Sequence, residues 1–296
     1  MAEGIAYAHE RGKKVYITAN IFAHNADLPG IQDYFEELND LRPDGVLVAD
    51  AGVFALAKKH LDGIPIHIST QANTTNYASA RFWHGQGAAR IVAARELSLA
   101  EIKAVKAHLP EDMEIEVFVH GAMCISYSGR CLLSNYLAGR DANQGECTHP
   151  CRWKYRLYND GIEAGKTVES IGYAIEEETR PGEYFPVFEN DRGTYIMNSK
   201  DLCMIEHIPE LCEAGITSFK IEGRMKSVYY AAVTALAYRR AVEAYANDPS
   251  GYRTDPELVR LLGSVTHREY DTGYYFSDPM TDAKTVDEPG YITERP

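Results

Sequence analysis

Short apolar runs recur about every 20 to 30 residues along the chain: Val15 to Asn20, Gly45 to Asp50, Ile64 to Ser69, Arg90 to Ala94 and Glu114 to His120, with a later one at Ser218 to Glu222. Runs this short and this rich in Val and Ile read as buried strands. The stretches between them carry helical periodicity, as in Leu97 to His108, where Ser98 stands as an N-cap. Ala2 to Lys14 reads as a helix ending near Gly12, and a long helix is expected from about Arg224 to Ala246. Strand and helix in alternation specify an α/β fold with a parallel sheet and right-handed crossovers. No glycine-rich phosphate loop follows a strand, which favours a TIM-like (β/α) barrel over a doubly wound dinucleotide fold. Only six strands are visible and the first helix is uncapped, so the expected barrel lacks its first two strands. The expected organisation is a barrel-like domain over 1–246, including a cysteine-rich and acidic insertion at 121–192. Residues 247–296 form a C-terminal helix and tail leading toward a small β domain beyond the chain.

A barrel carries its active site at the C-terminal ends of its strands. That rule selects Gln71 and Asn73, Arg95 and Glu96, His120, and Lys220, Glu222 and Arg224. His120, Glu116 and Glu222 are the candidate catalytic groups. Gln71, Asn73, Arg95, Glu96, Lys220, Arg224, Arg130 and Arg152 are the candidate substrate contacts.

Just past His120 lie four of the six cysteines, Cys124, Cys131, Cys147 and Cys151, separated by six, fifteen and three residues. Structural zinc sites usually pair cysteines about two to four residues apart, and only the last two fit that habit. An iron–sulfur cluster accepts ligands from an irregular loop more readily, while zinc and unligated thiols remain as alternatives. Cys203 competes as the fourth ligand; its other reading, shared with Cys212, is a small buried residue at a helix start. A nucleophilic Cys124 with His120 as its base would suit a peptidase, though no His-Glu-x-x-His or Gly-x-Ser-x-Gly motif occurs.

Composition changes this picture in two places. With 296 residues, 45% of them hydrophobic and 25% charged, the chain is an ordinary globular protein. No apolar run is long enough to span a bilayer and no leader is visible, so a cytoplasmic location with reduced thiols is expected. The formal charge of −13 argues against a uniformly nucleic-acid-binding surface. The charge is uneven, however. Residues 124–158 hold five basic and two acidic side chains and residues 220–240 hold five and one, whereas Asp160 to Asp191 holds nine acidic and two basic. Tyr127, Tyr136, Trp153 and Tyr155 are interleaved with the first basic segment, a pattern suited to stacking on unpaired bases.

The run from Glu116 to Ser134, EVFVHGAMCISYSGRCLLS, resembles the signature of the collagenase-like peptidase family U32. The stretches Glu177 to Leu202 and Phe219 to Tyr229 resemble its tRNA hydroxylation branch, and the likeness runs from about Gly4 to Phe276. This resemblance implies a barrel-like N-terminal domain and an RNA-modifying hydroxylase. The reaction it implies is iron–sulfur-dependent and prephenate-dependent conversion of wobble uridine to 5-hydroxyuridine, with tRNA as partner. It places a 4Fe-4S cluster on Cys124, Cys131, Cys147 and Cys151, and in some sister branches the fourth ligand lies farther downstream, which keeps Cys203 in contention. The two carboxylates of prephenate would call on Arg95, Lys220 and Arg224, since guanidinium groups match carboxylate geometry. The alternatives are protein hydrolysis, as the family name suggests, and a non-catalytic role as hetero- or homo-dimer partner of another family member.

Overall fold

A computed structural model of the chain describes residues 1–152, the strand segments 173–176, 184–190 and 193–195, residues 199–276, and residue 292. Its first half alternates as the hydrophobic pattern predicts: α1 (Ala2–His9), β1 (Tyr16–Ala19), α2 (Leu28–Leu41), β2 (Gly45–Val48), α3 (Ala51–His60), β3 (Ile66–Ile68), α4 (Tyr77–Gln86), β4 (Arg90–Val92), α5 (Leu99–Ala107) and β5 (Glu114–Ala122). A short helix α6 (Leu133–Ala138) follows, then β6 (Tyr173–Glu176), β7 (Tyr184–Asn190) and β8 (Gly193–Tyr195). The remaining elements are β9 (Asp201–Cys203), α7 (Ile208–Glu213), β10 (Ser218–Ile221), α8 (Val228–Asn247), α9 (Pro256–Gly263) and β11 (Tyr270–Asp271).

Strands β1 to β5 pair in chain order, all parallel, and β10 pairs parallel with β5. These six are the six apolar runs. Every residue of β2, β3 and β4 is buried, as expected of parallel strands covered on both faces. In contrast, β1 and β10 are half-buried and each has one strand partner among the described residues. Val48, Ile68, Ile91, Val117 and Val119 of the sheet pack with Phe35, Leu38, Val53, Ile102 and Ala237 of the helices in one continuous core.

Capping residues set the strand-to-helix turns. Asp50 accepts from the Val53 amide at 2.9 Å, and Ser227 accepts from Tyr230 at 3.1 Å. Ser98 and Glu101 form a reciprocal capping box. Helix α8 therefore starts at Val228 rather than near Arg224, because the Glu222 carboxylate binds the Arg224 amide at 3.0 Å in a turn and Ser227 takes the cap.

In the main sheet two further strands escape the sequence pattern because they are too short to show periodicity. β9 runs antiparallel to the end of β5, with Cys203 opposite His120, and β11 runs parallel to β9. Cys203 thus closes a strand instead of opening a helix. Strands β6 and β7, within the segment read as an insertion, and β8, just past its expected end at 192, form a separate antiparallel sheet. Trp153, Lys154, Tyr155 and Arg156 lie outside the described residues, and of Arg152 only the backbone, ending a short turn from Pro150, is described. Among the described residues no helix is long and apolar enough to cross a membrane.

A cysteine-lined cavity as the candidate active site

The site is built outward from β5. Gly121, at φ +110°, lies so close to the backbone carbonyl of Glu222 that a Cβ would collide with it. Glycine here lets the strand end run against the turn after β10, whose Glu222 amide donates to the His120 carbonyl at 2.9 Å. Behind this junction His120 is fully buried. Its ring nitrogens face the hydroxyls of Tyr238 and Tyr270, each at 3.4 Å, and the rings of Tyr230, Tyr238 and Tyr270 surround it. Burial lowers its pKa to about 3, so the imidazole is neutral at physiological pH.

A second prop is the buried pair Arg268–Asp201. The guanidinium Nε donates to Asp201 Oδ1 at 2.9 Å and the Arg268 amide donates to Oδ2 at 3.0 Å. The same guanidinium reaches Ser199 Oγ at 3.0 Å and the Met123 carbonyl at 3.2 Å. It pins Met123, the buried residue between the end of β5 and Cys124. Burial disfavours the Asp201 anion, yet Arg268 outweighs that and holds the carboxyl below its ordinary range.

From Cys124 the chain leaves the core and folds over the strand ends. Its anchors come from the ends of β1 and β3. Asn143, nearly fully buried, accepts from the Phe22 amide and donates to Gln71 Oε1 at 3.5 Å. Asn73 donates to the Ser128 carbonyl at 3.4 Å and accepts from Arg130 Nε at 2.7 Å, while the Arg130 guanidinium lies over the Phe22 ring. Under this loop is a cavity of about 490 Å³ whose wall includes Cys124, Cys131, Cys147 and Cys151 together with Gln71, Arg95, Glu222 and Arg224. Amides of Ser126 and His149 donate to the sulfurs of Cys124 and Cys147 at 3.5 and 3.4 Å. All four cysteines are free, as are Cys203 and Cys212. Among the described residues no three His, Cys, Asp or Glu side chains are already drawn together at metal-binding spacing.

The sequence-derived candidates divide into three groups. Gln71, Arg95, Glu222 and Arg224 line the cavity with the cysteines. Arg95 is desolvated, which lowers its pKa, and its guanidinium sits over Phe118 and 3.7 Å from Glu222. Asn73 and Arg130 serve as loop anchors. Glu116, Lys220 and His120 stand behind the wall: Glu116 is tied to Lys220 at 3.2 Å, Arg90 at 3.0 Å and Ser218 at 2.8 Å. Burial works against the Glu116 anion, but Lys220 leads the groups that keep it ionised. Glu96 is also off the cavity wall, with one carboxylate oxygen buried and without a hydrogen-bond partner among the described residues, and its pKa raised by burial. Cys203 is off it too; its sulfur contacts the Tyr238 hydroxyl at 3.9 Å, and burial pushes the thiol up to about 11. Among the described residues no hydrogen bond joins Cys124 to His120, as a nucleophile–base pair would require. Residues missed by sequence reasoning are Asn143, Arg268, Lys226 and Tyr230, the last two on the cavity wall. Only Lys226 and Tyr230 carried a signal, being at the start of the helix after a strand end.

Residues 1–285 match Peptidase family U32. The chain belongs to that family. It is 42% identical over 292 residues to a tRNA hydroxylation protein P of Escherichia coli, covering 92% of this chain and 64% of the relative. It is 41% identical over 281 residues to an uncharacterized protease of Methanocaldococcus jannaschii, covering 94% and 63%. A 23S rRNA 5-hydroxycytidine C2501 synthase of E. coli is 30% identical over 298 residues, covering 99% of this chain and 41% of the relative. The chain thus spans less than two thirds of the length of these U32 relatives.

Proposed function

We propose that this U32 chain takes part in hydroxylating a pyrimidine of RNA, with the wobble uridine of tRNA as target and 5-hydroxyuridine as product. The observation that carries the reading is the convergence of four irregularly spaced cysteines on one cavity at the end of β5. Relatives named for tRNA hydroxylation and for synthesis of a hydroxylated rRNA cytidine support it. The six parallel strands fit a (β/α) barrel, in which this end is the catalytic one.

The donor set fits a 4Fe-4S cluster on Cys124, Cys131, Cys147 and Cys151, since all four share one wall and two already receive amide hydrogen bonds. Such a cluster would supply one-electron transfer, which zinc does not. Arg95 and Arg224, both on the wall, are suited to hold the carboxylates of prephenate, and Glu222 orients Arg95. Lys220 supports the wall through Glu116 instead of facing the cavity. His120 positions Tyr230 from behind. The reading fits a cytoplasmic enzyme. A peptidase reading finds less support, because a single nucleophile leaves three further cavity thiols unexplained.

Protein purified without oxygen is expected to be brown, with about four iron and four sulfide per chain, and to lose both in Cys124→Ala or Cys131→Ala. Stoichiometric zinc without iron would overturn the cofactor. Mass spectrometry of tRNA nucleosides from cells with and without the gene, beside a collagen-peptide cleavage assay, tests the reaction. Unchanged wobble uridines together with robust cleavage would overturn it in favour of the peptidase.

A further inference from the structure

Arg268 is among the largest fully buried side chains of the molecule, and its partner Asp201 is buried as deeply. Such a pair is a weak source of stability, because well-packed apolar residues of similar volume often do as well. What it supplies that they cannot is direction. A guanidinium is planar and presents its N–H groups in a fixed fork, and Asp201 holds this one through Nε, Nη2 and the Arg268 amide. Held so, the fork aims Nη1 at Ser199 Oγ and Nη2 at the Met123 carbonyl.

The accepting end is a second observation. The Met123 carbonyl receives two donors, Arg268 Nη2 at 3.2 Å and Ser199 Oγ at 2.8 Å. It belongs to the Met123–Cys124 peptide, and no cis bond occurs among the described residues. A trans peptide is planar from one Cα to the next, so fixing this carbonyl also fixes the amide and Cα of Cys124. Met123 is buried and Cys124 is exposed, which puts the peptide at the boundary between core and cysteine loop. The two short strands bring the strut there. Asp201 on β9 lies opposite Ala122, the last residue of β5, and Tyr270 on β11 lies opposite Asp201.

Charge adds a third observation. Lys226, on the cavity wall, lies 3.9 Å from Asp201 Oδ2, so two cations share one carboxylate and the group is net positive. Charge in a buried setting is screened little by salt, and net charge beside an iron–sulfur centre is one of the levers on its potential. A cation favours the reduced, more negative state.

We propose that Arg268 is a positioning residue for the metal centre: through the Met123 carbonyl it fixes the peptide that presents Cys124, and its buried charge raises the reduction potential of a cluster bound there. The inference rests on the cluster reading above and deepens it by assigning the residue that sets one ligand's backbone and the potential of the centre.

The test uses the full chain purified without oxygen, with iron and sulfide counted, the midpoint potential titrated and the reduced cluster examined by electron paramagnetic resonance. Arg268→Met is expected to lower the reduced-to-oxidised ratio at a fixed applied potential about tenfold, which for one electron is about 59 mV, and to alter the resonance spectrum. Arg268→Lys keeps the cation and should return the potential most of the way to that of the wild type. Ser199→Ala removes one of the two donors on the Met123 carbonyl and should alter the spectrum with iron retained. Val53→Ala, a truncation of a fully buried residue of α3, controls for general destabilisation and should change neither readout. If Arg268→Met fails to fold, Arg268→Lys and Ser199→Ala decide, and wild-type spectra in both overturn the inference. A wild-type potential in folded Arg268→Met, or an equal shift in Val53→Ala, overturns it too and leaves the cluster reading standing. Wild-type protein without iron removes the cluster reading, and the inference with it.

Discussion

The end of β5 and the loop that follows it are continuous in sequence and opposite in packing. His120 to Met123 is held from all sides, by three tyrosine rings, by the Gly121–Glu222 approach and by the Arg268 guanidinium on the Met123 carbonyl. Cys124, the next residue, is exposed, and the loop to Cys151 is tied to the strand ends by side-chain hydrogen bonds through Asn73 and Asn143. The difference separates two tasks. A buried strand end fixes the position of the cavity wall, while a more exposed loop carries the four cysteines along it.

The sharpest way to break the comparison is at Arg268. Arg268→Met strips the buried Asp201 anion of its guanidinium and leaves it Lys226 at 3.9 Å, and a loss of about 3 kcal/mol in denaturant unfolding is expected. Replacing both partners with apolar residues should recover much of it. Next is Gly121→Ala, where a positive φ and the Glu222 carbonyl both oppose a side chain. A cost of about 3 kcal/mol is expected by the same measurement, with Gly139→Ala, whose added Cβ meets nothing within 4 Å, costing about 1 kcal/mol.

Acidification probes the sealed region alone. His120 titrates at about 3 in the folded protein and near 6.5 when unfolded, so below pH 6.5 the unfolded chain takes up a proton that the folded one refuses. Stability is therefore complete above 6.5, falls as pH drops toward 3, and is not lost further by this group below that. The slope approaches about 1.4 kcal/mol per pH unit. His67, lowered to about 4 by burial, and secondarily by Arg90, acts in the same direction. His120→Phe should flatten the stability profile between pH 6.5 and 5 without abolishing it. The smallest effect is expected in the loop: Cys124→Ala should change the stability of the metal-free protein by no more than about 0.5 kcal/mol, while removing iron on reconstitution. A large destabilisation there would show that the loop is as tightly integrated as the strand end.

Much of this was legible from hydrophobic pattern. All six parallel strands, the Ser98 cap and the cysteine cluster past His120 follow from local sequence, because a buried strand needs a continuous apolar run and a helix start needs a capping oxygen. β9 and β11 did not announce themselves, since strands of two or three residues carry no period. Among the site residues, Gln71, Arg95, Glu222 and Arg224 followed from the position of strand ends. Asn143 and Arg268 did not, because their partners lie 67 to 145 residues away in the chain.

The sequence by itself determined the α/β alternation, the family signature and the cysteine cluster, all of which depend on residue type and spacing. Tertiary structure alone decided which polar residues face the cavity and which stand behind it. Glu222 and Lys220 are two residues apart, yet one lines the cavity and the other is bound to Glu116. The register break between Lys220 and Ile221, where β10 meets the end of β5, separates them, and such a break arises from strand pairing that no local pattern encodes.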